Sequence, residues 1–480
     1  MHLPMWINGC PVNVEDRIQV TNPARPSEIV GSIPRGSSTE INLAVHAAKV
    51  AQPNWAKKSF RERASVLSNV LDRLETEIDD RVALFVRENG KTTKEARAEI
   101  CGVPARQRLT LALAEELDRE RLYDAPNGRT WRCDSPYGVV VSIVPWNSPV
   151  SLGFSQIISA LLAGNAVVIK PPETCPLALM RSIELVLDLL PPGILNVVTG
   201  LPAEIGGVLT THPDVAKIGF TGSIASARHI MANAAETIKG VTFELGGNDA
   251  AIVLDDADLS MPTMQRMASI VFRMSGQVCM AIKRIYVHRS IYNQFLSAFS
   301  EAVKQIVVGD GLDQNVTMGP LHSKRALERA QMLLSDAESR GAMICEVGVY
   351  ATSETVDAGG YFMRPTLVSE IADDAPLVRE EQFCAAIPIL AFDTEDAVIA
   401  RANETDYGLG GSVWSTNVDR ALQVANQLQA ATIFVNTHGT ESINRKLPYG
   451  GLKQSGIGCK SGIEGVLEYL QVRTVTTYED

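Results

Sequence analysis

The sequence predicts an α/β protein with two parallel-sheet domains, and three observations carry that expectation. Short β-rich apolar runs alternate with helical segments, the pattern of parallel strands joined by crossover helices. A second series of such runs begins after Gly246-Gly247. The chain is also long, with 480 residues of which 45% are apolar and 21% charged, which suits two or three domains rather than one core.

Taken in order, residues 39–117 read as helices, and residues 118–135 are polar with a turn at Pro126-Asn127-Gly128. Residues 139–144 form a buried strand, 155–162 a helix, 167–169 a strand, 177–190 a helix, and 195–198 and 218–220 further strands. In the second series 250–254 and 284–287 are strands, while 292–306 and 324–340 are helices. The last residues, 469–478, alternate in strand fashion. The boundaries expected are therefore 1–117 with 136–247, then 248–447, with 118–135 and 467–480 standing apart and a hinge near Gly246-Gly247.

Composition removes several classes of function. A net charge of −11 argues against a nucleic-acid partner, which wants a basic face. The most apolar region, 139–169, is broken by Pro145, Asn147, Gln156, Gly164 and Asn165, so no membrane span is expected. The first residues carry no basic stretch followed by an apolar run, and a cytoplasmic location is expected. The eight cysteines are scattered without metal-ligand spacing, so neither a metal site nor a disulfide framework is expected.

Some residues stand out chemically. Cys279 lies in Ser275-Gly276-Gln277-Val278-Cys279-Met280-Ala281, among small and polar residues that leave a thiol open to substrate. Most lone cysteines simply pack. Thirty-five residues upstream, Phe243-Glu244-Leu245-Gly246-Gly247-Asn248 sets a carboxylate at a strand edge before glycines that permit close approach. Nucleophile and base together are what covalent catalysis requires. Pro145-Trp146-Asn147 puts a neutral amide just past a strand, either as a packed turn or as a donor to a developing oxyanion. Lys170 and Glu173 follow a buried strand end, where open α/β sheets hold ligands; the alternative is a solvated ion pair. Gly219-Phe220-Thr221-Gly222-Ser223 lacks the full dinucleotide fingerprint.

With Arg379-Glu380-Glu381-Gln382-Phe383 and Pro448-Tyr449-Gly450-Gly451-Leu452-Lys453-Gln454-Ser455-Gly456, these segments stand in a definite order. In that order and spacing the chain closely resembles the non-acylating, NAD(P)-linked aldehyde dehydrogenases, from about Trp6 to Val475. The resemblance implies a Rossmann-like cofactor domain, an α/β catalytic domain and a small oligomerisation sheet made from 118–135 and 467–480. A homodimer or homotetramer follows, since isolated hairpins are marginal in water. It implies Cys279 as the nucleophile of a thiohemiacetal and then a thioester, Glu244 as the base that hydrolyses it, and Asn147 as the oxyanion donor. Trp146, Lys170, Glu173, Gly222, Ser223, Glu381 and Phe383 would contact the cofactor. Gly222 and Ser223 would open the helix facing the pyrophosphate, and Glu381 and Phe383 would hold the nicotinamide ribose and ring. A carboxylate at Glu173 repels a 2′-phosphate, so NAD is expected over NADP.

Departures from the pattern bear on mechanism and substrate. Cys384-Ala385 replace the usual Gly-Pro, and Gln156 replaces a lysine. Cys459 and Lys460 stand where arginine and glutamate are usual. Lysine and glutamate have changed together, so the proton route from Glu244 is expected to be rearranged or absent. Arg273, six residues before Cys279, resembles the arginine with which succinate-semialdehyde dehydrogenases grip a distal carboxylate. Its other reading is an internal salt bridge. A second arginine of those enzymes is replaced by Ser155, and Arg445 or His438 is the candidate substitute. Ser148, where an aromatic is frequent, gives a roomier or more polar mouth. The function expected is NAD-dependent oxidation of an aldehyde to its acid, on a carboxylate-bearing semialdehyde or on a broad range of aromatic and aliphatic aldehydes. Acylation of coenzyme A is disfavoured by Glu244, and a catalytically idle scaffold by the retention of Cys279, Glu244 and Asn147.

Overall fold

The computed structural model describes residues 1–352 and 359–478. Its first sheet has eight strands, and the five central ones are parallel in the spatial order Leu195–Val197, Ala166–Lys170, Val139–Ile143, Lys217–Thr221, Gly240–Glu244. Chain order therefore reverses on either side of Val139–Ile143. At such a switch point the loops leave in opposite directions and open a crevice at the strands' carboxyl ends. Strands Ala166–Lys170 and Lys217–Thr221 are buried at every residue, as strands covered by helices on both faces must be.

The chain leaves this sheet at Glu244, crosses through Leu245-Gly246-Gly247-Asn248, and enters the second sheet at Asp249. That seven-stranded sheet is parallel except for its edge strand Met343–Glu346. Each sheet has its own apolar core, and a small third cluster of Met280, Leu409, Phe434 and Tyr449 packs beside Cys279. A two-residue turn at Pro126-Asn127 joins strands Arg121–Ala125 and Gly128–Arg132, with Ala125 facing Gly128. Thr474–Thr476 adds the third strand of that small sheet. No described helix is long and apolar enough to cross a membrane.

Local signals account for many helix starts. Capping boxes at Ser37/Glu40, Ser59/Glu62 and Thr92/Glu95 open three helices, each satisfying free amides at both ends of the box. The helix expected at 155–162 instead spans Pro149–Leu162. Pro149 suits a first turn, and Glu99, from the neighbouring helix Thr93–Leu111, accepts the amides of Val150 and Ser151 at 3.1 and 3.0 Å. That cap comes from a distant segment, so the early start has no local signal. The helix expected at 177–190 breaks after Glu184 and resumes as a short 3₁₀ turn at Leu187–Leu189. Residues 448–461 return to the first sheet, where Gly456–Ile457 pairs antiparallel to Gly240–Glu244.

Candidate active site

The carboxyl edge of the first sheet gathers most of the chemically distinctive residues. Glu244 ends its strand, buried, and Lys460 Nζ lies 2.8 Å from its Oε2. Lys460 also donates to Thr221 Oγ1 at 2.6 Å. The returning segment delivers Lys460 there because Leu245 N donates to Ser455 O at 2.9 Å and Ser455 Oγ to Gly246 O at 2.7 Å. The altered pair of sequence positions thus places a cation directly on the candidate base. Gln156 is buried with neither amide atom paired.

Cys279 follows a tight left-handed turn, with positive φ at Met274 (49°), Ser275 (59°) and Gly276 (76°). A Cβ at position 276 would lie 2.1 Å from Cys384 O, so glycine is required. Two successive non-glycine residues in this region store strain that the surroundings must hold. Ser275 Oγ donates to Gly319 O at 2.7 Å, and the Gln277 side chain bonds Met274 O and the amide of His322, each at 2.9 Å. Lys283, buried beneath this loop, donates to Val278 O and Cys279 O at 2.8 and 2.9 Å. Burial pushes the Cys279 thiol up to about 12, the charge of Glu244 adds to the rise, and Lys283 opposes it. The thiol is therefore protonated at neutral pH until binding changes its surroundings.

Asn147 is held from both sides. Its Nδ2 donates to Gln277 O at 3.1 Å, and its own carbonyl accepts from Lys91 at 2.9 Å. Lys91 also pairs with the buried Glu99 that caps helix Pro149–Leu162. Trp146, the preceding residue, stacks on His322 with ring centroids 4.2 Å apart and meets Phe383 edge-on at 5.8 Å. His322 bonds Thr174 Oγ1 at 2.7 Å, and burial pushes its imidazole down to about 4, so it is neutral at pH 7.

The residues expected to meet a dinucleotide stand at or against the carboxyl edge of the first sheet: Lys170 ends one strand, Gly222 follows another, Glu381 reaches Gly247 and Phe383 meets Trp146. Lys170 Nζ sits 3.1 Å from Glu173 Oε2. Ser223 caps helix Ile224–Ala235, leaving an exposed helix start suited to phosphate, and a Cβ at Gly222 would meet the Phe220 ring at 2.5 Å. Glu381 accepts Gly247 N–H at 3.1 Å and approaches Lys283 at 3.5 Å. A Cβ at Gly246 would lie 2.2 Å from its Oε2, so this glycine admits the carboxylate. Burial raises the Glu381 pKa, while Lys283 and the Gly247 amide pull it down. Paired acidic and basic groups, aromatic rings and a capped helix start fit a nicotinamide dinucleotide.

A cavity of about 140 Å³ brings Cys279, Glu244 and Asn147 together with Ser148, Arg273 and Arg445. It is small beside the cavities that hold drug-sized ligands. Arg273 lines it while pairing at 2.7 Å with Glu441, a largely exposed carboxylate. Ser155, at the place of the absent arginine, lines it too. His438 does not; it bonds the buried Asp249 at 3.2 Å and lines a neighbouring, larger cavity. Sequence reasoning missed Arg106, which projects into the cavity from helix Thr93–Leu111, and the roles of Lys283 and His322. Nothing in their local sequence marks them.

A doubly wound sheet with a carboxylate at its carboxyl edge and a cysteine brought to it from the second domain is the arrangement of a cysteine-dependent dehydrogenase. The Aldehyde dehydrogenase family model matches residues 11–475, and the chain belongs to that family of NAD(P)-dependent, aldehyde-oxidising enzymes. The chain is 34% identical over 475 residues to succinate-semialdehyde dehydrogenase [NADP(+)] GabD of Escherichia coli (strain K12), covering 98% of this chain and 95% of that protein. It is 37% identical over 465 residues to the mitochondrial succinate-semialdehyde dehydrogenase of Arabidopsis thaliana, covering 95% and 85%. Lactaldehyde dehydrogenase from Escherichia coli superposes with a TM-score of 0.93 at 31% identity, covering 99% of each chain. Because a relative this similar is named for NADP(+), the expectation that ranked NADP below NAD is corrected: the family relationship supports either nucleotide.

Proposed function

We propose that the chain oxidises a short aldehyde carrying a carboxylate at its far end, with Cys279 as nucleophile, Glu244 as general base and Asn147 as oxyanion donor. The observation behind this reading is that these three residues share one small cavity with three arginines. The Cys279 thiol gives its proton to Glu244, which passes it to solvent, and the sulfur adds to the carbonyl carbon as thiolate, with Asn147 Nδ2 donating to the oxygen as charge builds there. A nicotinamide held beside Trp146, Glu381 and Phe383 would supply the acceptor for the hydride that the thiohemiacetal carbon gives up. Glu244 takes a proton from water, whose oxygen attacks the resulting thioester; the carbon–sulfur bond breaks, releasing the acid and the thiolate.

Lys460 holds Glu244 in place, and the positive charge of Lys283 favours the thiolate of Cys279. Trp146, Phe383 and Glu381 would position the nicotinamide half of the cofactor. Gly222 and Ser223 would meet the pyrophosphate, and Lys170 with Glu173 the adenosine ribose. Glu173 is the discriminator between nucleotides: Glu173→Ala is expected to raise the kcat/KM ratio of NADP over NAD. An unchanged ratio would remove Glu173 from that role. The three-stranded sheet exposes Leu122, Tyr123 and Val475, which supports a homo-oligomer; light scattering that returns a monomer mass would overturn it.

Absorbance of the reduced nicotinamide, with succinate semialdehyde set against butanal, tests the substrate. The acid is expected to have the higher kcat/KM. Preference for butanal would replace this reading with a broad-specificity aldehyde dehydrogenase.

A further inference from the structure

The three arginines of the cavity are not equivalent. Arg273 is already neutralised by Glu441 at 2.7 Å. Arg445 donates only to a backbone carbonyl, Thr440 O at 3.0 Å. Arg106 donates to Glu99 O and Ser151 Oγ, both at 3.2 Å. Among the described residues no carboxylate lies within ion-pair distance of either Arg106 or Arg445. Glu99, the nearest candidate by sequence, is committed to Lys91 and to the start of helix Pro149–Leu162.

Two half-buried guanidinium groups thus share a cavity with no carboxylate in direct contact with either, although Glu99 and Glu244 line the same cavity. Burial pushes both pKa values down; at Arg106 the like charges of Arg445 and Arg273 add to the fall and Glu99 opposes it, and at Arg445 Tyr449 and Glu244 oppose it. Holding unpaired charges this way costs stability unless an anion arrives to pair with them. Ser148, at the start of helix Pro149–Leu162, and Ser151, Ser155 and Ser159 along it add hydroxyls to one side of the wall, while Leu152, Met274, Val278 and Ile443 make other parts of it apolar.

We propose that the distal oxyanion of the substrate is clamped between Arg106 and Arg445, while Arg273, bound to Glu441, forms an outer wall and does not grip it. The inference rests on the carboxylate-bearing substrate proposed above, and it assigns that recognition to a residue of helix Thr93–Leu111 and one of the loop before Pro448. A guanidinium in an unsatisfied fork suits a carboxylate, and two such groups from separate elements also fix the distance from the anion to Cys279.

The test compares the kcat/KM ratio of succinate semialdehyde over butanal in the wild type, Arg106→Leu, Arg445→Leu and Arg273→Leu. Loss of a charge-assisted contact is worth about ten- to a hundredfold, so that ratio is expected to fall by this much in the first two variants and by less than about threefold in the third. A second readout needs no turnover: succinate should slow iodoacetamide labelling of Cys279 in the wild type and lose that protection in Arg106→Gln and Arg445→Gln. If Arg273→Leu alone abolishes the preference, the clamp is wrong and the carboxylate reading stands. A wild type that prefers butanal removes the carboxylate reading itself, and the clamp with it.

Discussion

The two sides of the active site are built differently. The proposed adenosine and pyrophosphate part of the cofactor side uses short segments at the carboxyl edge of one sheet: the turn after Val139–Ile143, Lys170 through Glu173, and the capped helix start at Ser223. The substrate side is assembled from pieces far apart in the chain. Arg106 comes from a helix before the first sheet, Arg445 from a loop after the second, and Lys460 from the segment that returns to the first. A dinucleotide presents the same chemical groups to every enzyme that uses it, so its site can be coded in short motifs next to strands. Substrate walls must vary while the sheets stay unchanged, and long-range side-chain pairing is how they do so.

Cys279 sits where the two sides meet, and its loss is expected to have the largest effect. Cys279→Ala should lower turnover by on the order of 10⁴-fold or more while nucleotide binding, followed by fluorescence, is retained. Before substrate binds, alkylation of the thiol should be slow at pH 7 and climb through the alkaline range, because its pKa is pushed up to about 12. Normal turnover in the Ala variant would dissolve the site as described.

Glu244→Gln should separate hydride transfer from hydrolysis. Loss of a general base costs about 10²- to 10⁴-fold, so rapid mixing should show a burst of reduced nicotinamide followed by a weak steady state. Equal loss in both phases would mean that Glu244 does not act specifically on the thioester.

Lys460→Met sharpens the contrast, because it removes the partner of the candidate base and leaves the cofactor motifs untouched. Loss of a charge-assisted contact at 2.8 Å should lower steady-state turnover by about tenfold or more. Lys460→Arg should restore much of the rate. An unchanged rate in Lys460→Met would reduce the pair to packing.

The last effect, at His322 beneath Trp146, is read in folding stability and not in turnover. His322, with its imidazole held at about 4 against an ordinary 6.5, binds protons more readily in the unfolded chain. The stability that this group gives is present above pH 6.5 and is lost as the pH falls from there towards 4, by up to about 3 kcal/mol. Chemical denaturation across that window checks it, and His322→Phe, which keeps a ring under Trp146, should flatten the dependence. The same slope in both proteins would assign it to other groups.

Local chemistry was readable wherever a short segment acts on itself. Serine or threonine followed by glutamate three residues on marks a helix start, alternating apolar runs mark strands, Pro126-Asn127-Gly128 marks the hairpin turn, and glycines mark the passage from Glu244 to the second sheet. Those segments also carried the candidate nucleophile, base and amide, because each stands at a strand end or tight turn with a residue pattern of its own. Sequence by itself therefore determined the fold class, the family resemblance and the reactive residues expected from it.

The tertiary structure alone decided what the charges do. Glu99 caps a helix some fifty residues away, Lys460 crosses more than two hundred residues to Glu244, and Arg273 pairs with Glu441 while Arg106 and Arg445 stay unmatched. A long charged side chain has the same local sequence signature whether it is solvated, paired or aimed into a cavity. Its fate is set by Coulomb and desolvation terms that depend on distance through space, and separation along the chain does not encode that distance.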